Sequence, residues 1–150
     1  MIKLHEILSS FFSIGYIKKG GGTVAAIATA LIWFVAVAEP SSLLVLGITL
    51  LVIMYGVWAG NEVEKKWGKD SSKVVIDEVA GMLVSLLFIP VTALNVFVAL
   101  VLFRFFDILK PLLIRRLEKL PGGWGVMGDD VLAGIYSNLV LHVFLLLKLW

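Results

Sequence analysis

The chain has 150 residues, of which 60% are hydrophobic and 16% carry a formal charge. A water-soluble domain of this length needs more polar surface than such a composition supplies, whereas a bilayer is an apolar solvent for the outside of a helix bundle. The lack of cysteine excludes disulfides, a thiolate nucleophile and cysteine metal sites, and a net charge of +2 is too small for nucleic-acid binding as the main activity. The composition therefore predicts an integral membrane protein without a nucleic-acid partner.

The N-terminal part of the chain predicts an interfacial helix followed by two membrane spans. Apolar residues recur every three or four positions over residues 4–17, with polar residues between them, as in a helix that lies in the membrane interface. A run of three glycines ends this helix, and long apolar runs then predict spans over 24–38 and 43–59. Gly56 and Gly60 are four residues apart, so they would let another helix approach the second span closely.

The apolar run 79–103 either forms one long tilted helix or turns at Pro90 into two arms. The distribution of lysine and arginine across the membrane distinguishes between these alternatives. A turn between Pro90 and Asn95 places all but Lys148 of the 13 lysines and arginines on one side of the membrane, as the positive-inside rule expects. A straight span would cancel this asymmetry, so the sequence favours the hairpin.

The predicted fold is therefore an all-α, polytopic membrane helix bundle that forms a single domain over residues 1–150. Its N-terminus and polar loops face the cytoplasm, because they carry the basic residues. The predicted spans, about five in number, cover residues 24–38, 43–59, 73–89, 91–106 and 130–149.

Five carboxylates collect near the cytoplasmic boundary in this topology, because three of the predicted helices begin or end there. Acidic residues at helix starts commonly serve as caps, which is the simplest interpretation of any one of them. Five uncompensated charges beside hydrocarbon are costly, however, and a divalent cation would remove that cost. Oxygen ligands without cysteine favour Mg²⁺ over Zn²⁺. The five residues are Asp77, Glu78, Asp107, Asp129 and Asp130, of which the last two are predicted to open the final span.

Asp77 and Asp130 begin two similar segments, since each is followed by alanine and glycine three and four residues later. The glycine shares a helical face with the aspartate, so a neighbouring helix or a ligand can come close to the carboxylate. Ser85 extends the first face, and Asn138 and His142 extend the second. An interhelical hydrogen bond inside the bundle is the more common role for the last two.

Candidate phosphate-binding groups stand near the acids. Gly22 and Thr23 precede a predicted span, where free backbone amides could hold an anion, although a plain linker fits the same residues. Arg104 lies three residues before Asp107 and Lys110 lies three after it, so all three occupy neighbouring turns. Snorkelling to the interface is the alternative role for the two basic residues.

Three motifs in this order make the chain similar to the phosphatidylglycerophosphatase A family. They are IDEVAGM at 76–82, FRFFDILKP at 103–111 and GGWGVMGDDVLAG at 122–134, and the resemblance covers about residues 18–140. The resemblance implies a small multi-span enzyme of the bacterial inner membrane that hydrolyses phosphatidylglycerophosphate to phosphatidylglycerol and phosphate with Mg²⁺. It implies a membrane phospholipid as substrate and an active site that faces the cytoplasm.

The resemblance also places the functional residues. The family's acidic positions match Asp77, Glu78, Asp107, Asp129 and Asp130, and its basic positions match Arg104 and Lys110. We expect some of Asp77, Asp107, Asp129 and Asp130 to hold Mg²⁺, and Glu78, or whichever carboxylate is left unligated, to orient or deprotonate a water molecule. A phospho-aspartate intermediate is the alternative to attack by water. Gly22, Thr23, Arg104 and Lys110 are the expected substrate-binding residues.

A second class of function stays open at this point, namely a small membrane transporter or channel for a cation with the acidic cluster as its ion site. A transporter usually carries such groups near the middle of the bilayer, where this sequence has uncharged or weakly basic residues. These are Ser85, Asn95, Asn138 and His142. The sequence indicates no obligate protein partner, and it leaves a homo-oligomer possible.

Overall fold

The computed structural model describes residues 2–17, 19–40, 43–68 and 71–150. Within these ranges all regular structure is helical, which confirms the all-α prediction. One 3-10 turn covers Ile14–Tyr16. The α-helices are α1 (Ile2–Ser9), α2 (Gly21–Ala36), α3 (Leu43–Trp67), α4 (Ile76–Leu86), α5 (Ala93–Leu109), α6 (Ile114–Leu117) and α7 (Gly123–Leu146).

Helix α4 is the centre of the bundle, because it packs against α2, α3, α5 and α7 and most of its residues are buried. Its crossing with α7 depends on two glycines. A Cβ on Gly81 would collide with Phe103 and with the backbone carbonyl of Asp130, and a Cβ on Gly134 would collide with the carbonyl of Gly81. The close approach predicted for the two Asp-x-x-Ala-Gly segments is therefore confirmed.

Glycines also set the distance between α3 and α7. A side chain on Gly56 would collide with Met127, and one on Gly60 would lie 3.0 Å from the Cα atom of Gly123. The predicted helix contact at these two positions is confirmed. It brings the polar C-terminal part of α3 next to the start of α7, where the side-chain oxygen of Asn61 accepts a 2.8 Å hydrogen bond from the amide of Gly123.

The helix break predicted at Pro90 is present, since α4 ends at Leu86 and α5 begins at Ala93. Asn138 of α7 satisfies the end of α4, because its side-chain amide donates to the carbonyls of Val84, Ser85 and Leu87 at 3.2, 3.1 and 2.8 Å. The side chain of Asn138 thus gives partners to carbonyls at the break, and the interhelical hydrogen bond expected of this residue is confirmed.

The predicted bounds of the first and the last helix are wrong. The N-terminal helix was expected over residues 4–17, but α1 ends at Ser9, because Phe11, Phe12 and Ser13 adopt positive φ angles of 44°, 54° and 78° that no α-helix contains. The last helix was expected to begin at Asp130, but it begins at Gly123. The two adjacent aspartates therefore lie in its second turn rather than at its start.

Two helices of the described residues are long and apolar enough to cross a membrane, namely α3 with 25 residues and α7 with 24. The 16-residue α2 is apolar but shorter, and α4 and α5 have 11 and 17 residues. At about 1.5 Å per residue, α4 covers roughly half of a hydrocarbon core. The predicted set of five spans thus stays a prediction.

One end of the bundle collects the polar groups. The first turns of α2 and α4, the last turn of α5 and the first turns of α7 meet there. The opposite end holds the break at Pro90 and the C-terminus of the chain, where the indole of Trp150 donates a 2.7 Å hydrogen bond to Asn95. The candidate site therefore lies at the end that the sequence analysis assigned to the cytoplasm.

Candidate metal and phosphate site

Three carboxylates from two helices form the centre of the site. Asp77 and Glu78 stand in the first turn of α4 and Asp130 in the second turn of α7, and one oxygen of each lies within 4.8 Å of the others. In each of these three side chains, one carboxylate oxygen is buried and has no hydrogen-bond partner. Three such oxygens repel one another unless a positive charge lies between them. The set therefore fits a hard divalent cation, which prefers carboxylate oxygens.

The first turn of α2 packs against this cluster through a glycine. A Cβ on Gly22 would collide with the Oε1 atom of Glu78, so the carboxylate lies directly against the backbone of α2. The N-terminal end of a helix carries a partial positive charge that stabilises an anion. The structure thus places a carboxylate of the chain itself where the sequence predicted a bound phosphate. Thr23 is half-buried in the same turn and does not line the polar cavity.

An ion pair on α5 borders the cluster. The guanidinium of Arg104 contacts the carboxylate of Asp107 one turn later, and these side chains are 19% and 12% exposed. Asp107 is close enough to Glu78 and Asp130 to interact electrostatically with both. The Nε atom of Arg104 is buried and has no hydrogen-bond partner. This side chain therefore keeps one donor free beside the acidic cluster.

Lys110 turns back toward the site from the end of α5. It caps the helix in the left-handed conformation, with φ 45° and ψ 55°, directly before Pro111. Its ammonium group donates to Asp129 at 2.6 Å and to Glu118 at 3.0 Å. Burial by itself would lower the pKa of Lys110, but the hydrogen bonds and charges of the two carboxylates outweigh it and raise this pKa. The amine therefore stays charged at neutral pH.

Asp129 is occupied by protein donors on both oxygens. One oxygen accepts from Lys110, and the other accepts from the backbone amide of Asp130 at 3.1 Å. Adjacent residues on a helix point about 100° apart, which separates Asp129 from the cluster that Asp130 joins. Both side chains are buried. The two aspartates thus serve different partners in the structure.

A polar cavity of about 180 Å³ opens beside the cluster. Its walls include Asp77, Glu78 and Asp129 with the ammonium of Lys110. Three further polar residues of this wall were not predicted from the sequence, namely Ser71, Ser72 and Glu118. They lie outside the regular helices, where no periodic pattern marks them, and the ion pair of Glu118 with Lys110 is the feature that identifies that residue.

The structure brings the predicted site residues to one end of the bundle but groups them differently. The expected metal ligands were Asp77, Asp107, Asp129 and Asp130, with Glu78 left free. In the structure Glu78 joins Asp77 and Asp130, whereas Asp107 and Asp129 each pair with a basic residue. The roles of these residues stay predictions.

Comparison with known proteins shows clear relatives. The family model described as phosphatidylglycerophosphatase A matches residues 7–145. A protein of Bacteroides thetaiotaomicron, provisionally named phosphatidylinositol-3-phosphatase, is 38% identical over 93% of this chain and 92% of its own length. The phosphatidylglycerophosphatases A of Haemophilus influenzae and Escherichia coli are 34% and 32% identical over 91% of this chain, and over 85% and 81% of their own lengths. No solved structure matches the chain.

Proposed function

Since the chain belongs to the phosphatidylglycerophosphatase A family, we propose that it is a Mg²⁺-dependent phosphatase that hydrolyses phosphatidylglycerophosphate to phosphatidylglycerol and phosphate in phospholipid biosynthesis. The observation that carries the proposal is the group of three carboxylates with unpartnered oxygens, which lies beside the basic side chains of Lys110 and Arg104. The relative provisionally named for phosphatidylinositol 3-phosphate supports the same class of reaction, because that lipid is also a phosphomonoester. The choice between the two headgroups is left to experiment.

Asp77, Glu78 and Asp130 would hold the Mg²⁺ ion. They offer oxygen donors alone, one oxygen of each lies within 4.8 Å of the others, and each side chain has a buried oxygen without a hydrogen-bond partner. When bound, the ion would neutralise charge on the phosphoryl oxygens and polarise the phosphorus toward attack. This assignment includes Glu78, because an oxygen of its carboxylate lies within 4.8 Å of oxygens of Asp77 and Asp130.

Lys110 and Arg104 would bind the phosphoryl oxygens. Lys110 lines the polar cavity next to Asp77 and Glu78, and it can exchange the exposed Glu118 for a phosphate oxygen without leaving Asp129 unpaired. Arg104 can donate from its free Nε while its Nη1 atom holds Asp107. Two fixed positive charges at the phosphate stabilise the charge that develops in phosphoryl transfer.

Asp107 would orient the attacking water. Its carboxylate is held by Arg104 and faces the acidic cluster, whereas both oxygens of Asp129 are already occupied. The water oxygen would form the new bond to phosphorus as the bond to the headgroup oxygen breaks, and a proton of the water would pass to the carboxylate. The departing headgroup oxygen would take up a proton from the solvent of the polar cavity. The carboxylate left outside the metal set is thus the base, as the sequence analysis expected in general terms.

The protein would lie in the bacterial inner membrane as a multi-pass protein with this site at the cytoplasmic boundary. The two long apolar helices support insertion, and the gathering of the acidic cluster, Arg104 and Lys110 at one end of the bundle supports the orientation. The lipid phosphate would then reach the site from the cytoplasmic leaflet.

The test is phosphate release by the purified protein from phosphatidylglycerophosphate and, separately, from phosphatidylinositol 3-phosphate, each with Mg²⁺ and with a chelator. We expect Mg²⁺-dependent release that is faster from phosphatidylglycerophosphate. Faster release from the inositol lipid would overturn the substrate assignment. No release from either lipid, with Mg²⁺ uptake into proteoliposomes, would favour the cation transporter instead.

A further inference from the structure

We propose that the groove between α2 and α5 holds an acyl chain of the lipid substrate and so orients its phosphate at the acidic cluster. This inference rests on the proposed function, since it concerns how a lipid phosphomonoester is held. It assigns the apolar part of the substrate to a particular pair of helices.

The groove has a volume of about 270 Å³ and a lining of apolar residues. Its wall on α2 extends from Ile27 to Phe34, and its wall on α5 extends from Ala93 to Leu100. The two helices run in opposite directions, because α2 begins at the acidic cluster and α5 ends there. Each wall is about 10 Å long at ~1.5 Å per residue. The groove is thus an apolar track that lies along the bundle.

The end of this track nearest the site leads to polar residues. Arg104 lies four residues after Leu100 and therefore on the same face of α5, and Thr23 lies four residues before Ile27 on α2. Thr23 also follows Gly22, which packs against the Glu78 carboxylate. A molecule with an apolar tail and an anionic head would fit the apolar groove and the polar residues at its end. The predicted role of Thr23 in substrate binding fits this position at the mouth of the groove.

A second apolar cavity, of about 220 Å³, does not have this continuity. It lies between α2 and α3, and α4 contributes Val79 and Leu83 to its wall. Asp77 and Gly81 occupy a different face of α4, which is turned toward α7 and the acidic cluster. The second cavity therefore opens on another side of the central helix, away from the groove that leads to Arg104.

The groove is expected to act on orientation more than on affinity. A bilayer is as apolar as the groove, so moving an acyl chain between them gains little hydrophobic free energy. A chain fixed along α2 and α5 instead restricts where the phosphate can lie, and misplacing a reacting group by about 1 Å can lower turnover by a large factor. Blocking the groove should thus lower kcat more than it raises KM.

The experiment compares Ala93→Trp, which fills the far end of the groove, with Leu94→Trp at the neighbouring exposed position outside it. Turnover is measured with dihexanoyl and dipalmitoyl phosphatidylglycerophosphate in detergent micelles. We expect Ala93→Trp to lower kcat for the dipalmitoyl lipid by about tenfold and to leave the dihexanoyl lipid unchanged. Leu94→Trp should change neither. Ile27→Trp, close to the site, should lower kcat for both lipids.

Equal losses on both lipids in Ala93→Trp, or equal effects of Ala93→Trp and Leu94→Trp, would overturn the inference. So would normal turnover of both lipids by Ile27→Trp, which also decides the matter if Ala93→Trp fails to insert. A change in oligomeric state without chain-length dependence would assign the groove to a second copy of the chain and overturn it as well. Absence of hydrolysis of both lipids by the unmodified protein would instead contradict the proposed function.

Discussion

Two groups of charged side chains lie at the same end of the bundle and differ in how they are satisfied. Asp107 and Asp129 each contact a basic residue of the chain, whereas Asp77, Glu78 and Asp130 leave buried oxygens without partners. The two carboxylates of the paired group are therefore balanced by cations of the chain itself. The carboxylates of the unpaired group need a bound cation to balance their charge. Residue type and position in the fold alone therefore do not reveal which carboxylates bind an ion.

Removing a carboxylate from the unpaired group should have the largest effect on activity. We expect Asp130→Asn to lower kcat/KM by at least about a thousandfold, because a ligand of the ion is lost, while the protein without Mg²⁺ becomes no less stable, because repulsion within the cluster falls. The measurements are phosphate release and thermal unfolding with and without Mg²⁺. The unmodified protein should be stabilised by Mg²⁺ and the variant should not.

Glu62→Gln serves as the matched control, since Glu62 pairs with Lys65 on the surface of α3 and lies outside the site. It should keep both activity and the stabilisation by Mg²⁺. Equal Mg²⁺ stabilisation of Asp130→Asn and the unmodified protein would show that the unpaired group does not hold the ion.

Breaking a pair in the other group should affect stability as well as activity. Lys110→Met leaves the buried Asp129 without its cation, which costs about 3–5 kcal/mol for a buried pair, and removes a phosphate contact worth about a hundredfold in kcat/KM. The Mg²⁺ concentration for half-maximal activity should not change. Because the pKa of Lys110 is raised, the stabilisation by its charge is complete below the ordinary lysine pKa. It is lost only as the pH rises through the folded-state pKa, so the stabilisation by the Lys110 charge should be constant across neutral pH.

Lys110→Arg keeps the charge and should restore stability more than activity, because a guanidinium differs in shape from an ammonium. A rise in the Mg²⁺ requirement of Lys110→Met would contradict the division between the two groups, since it would connect the lysine to the ion.

The contact between α2 and the unpaired group can be tested with a single methyl group. Gly22→Ala places a Cβ against the Oε1 atom of Glu78, so the carboxylate must move, and we expect kcat to fall by about tenfold. Gly47→Ala on α3 is the control, because a Cβ there meets nothing within 4 Å. It should keep full activity and gain about 0.5–1 kcal/mol of stability from helix propensity. Full activity of Gly22→Ala would show that the position of Glu78 is not critical.

The smallest effect is expected at the exposed edge of the paired group. Glu118→Gln removes one of the two carboxylates on Lys110, but Glu118 is 48% exposed, and such an ion pair contributes about 0–1 kcal/mol. Stability should therefore be nearly unchanged, and KM should fall slightly because Lys110 is freer to bind phosphate. A large loss of stability would show that Glu118, and not Asp129, is the main partner of Lys110.

The sequence predicts the presence of the site better than its internal pairing. The break at Pro90 and the meeting of the carboxylates follow from local signals, namely a proline in an apolar run and the distribution of basic residues. The start of α7 at Gly123 depends on Asn61, which is 62 residues away along the chain. That start fixes the rotation of α7, and the rotation decides that Asp130 faces the cluster while Asp129 faces Lys110.

The N-terminal segment shows the same limit. The serines and phenylalanines of residues 9–13 have helical spacing, yet three of them adopt positive φ angles. Tertiary contacts explain the difference, because the carbonyl of Ser9 accepts a 2.9 Å hydrogen bond from the amide of Val75, and Gly15 packs against the carbonyl of Lys73. Propensity predicts neither contact. The turn holds the segment that leads into Asp77.

The three hydrogen bonds from Asn138 to the end of α4 have a consequence for how the site responds to its membrane. A helix that must reach both interfaces tilts or shifts when the bilayer thickens or thins. Helix α4 ends inside the bundle, where the side chain of Asn138 from α7 binds its last carbonyls. Contacts within the protein therefore determine its length, and the thickness of the bilayer does not. We therefore expect the depth of Asp77 and Glu78 to stay constant in bilayers of different thickness, which lets the same site work while the cell changes its acyl-chain composition.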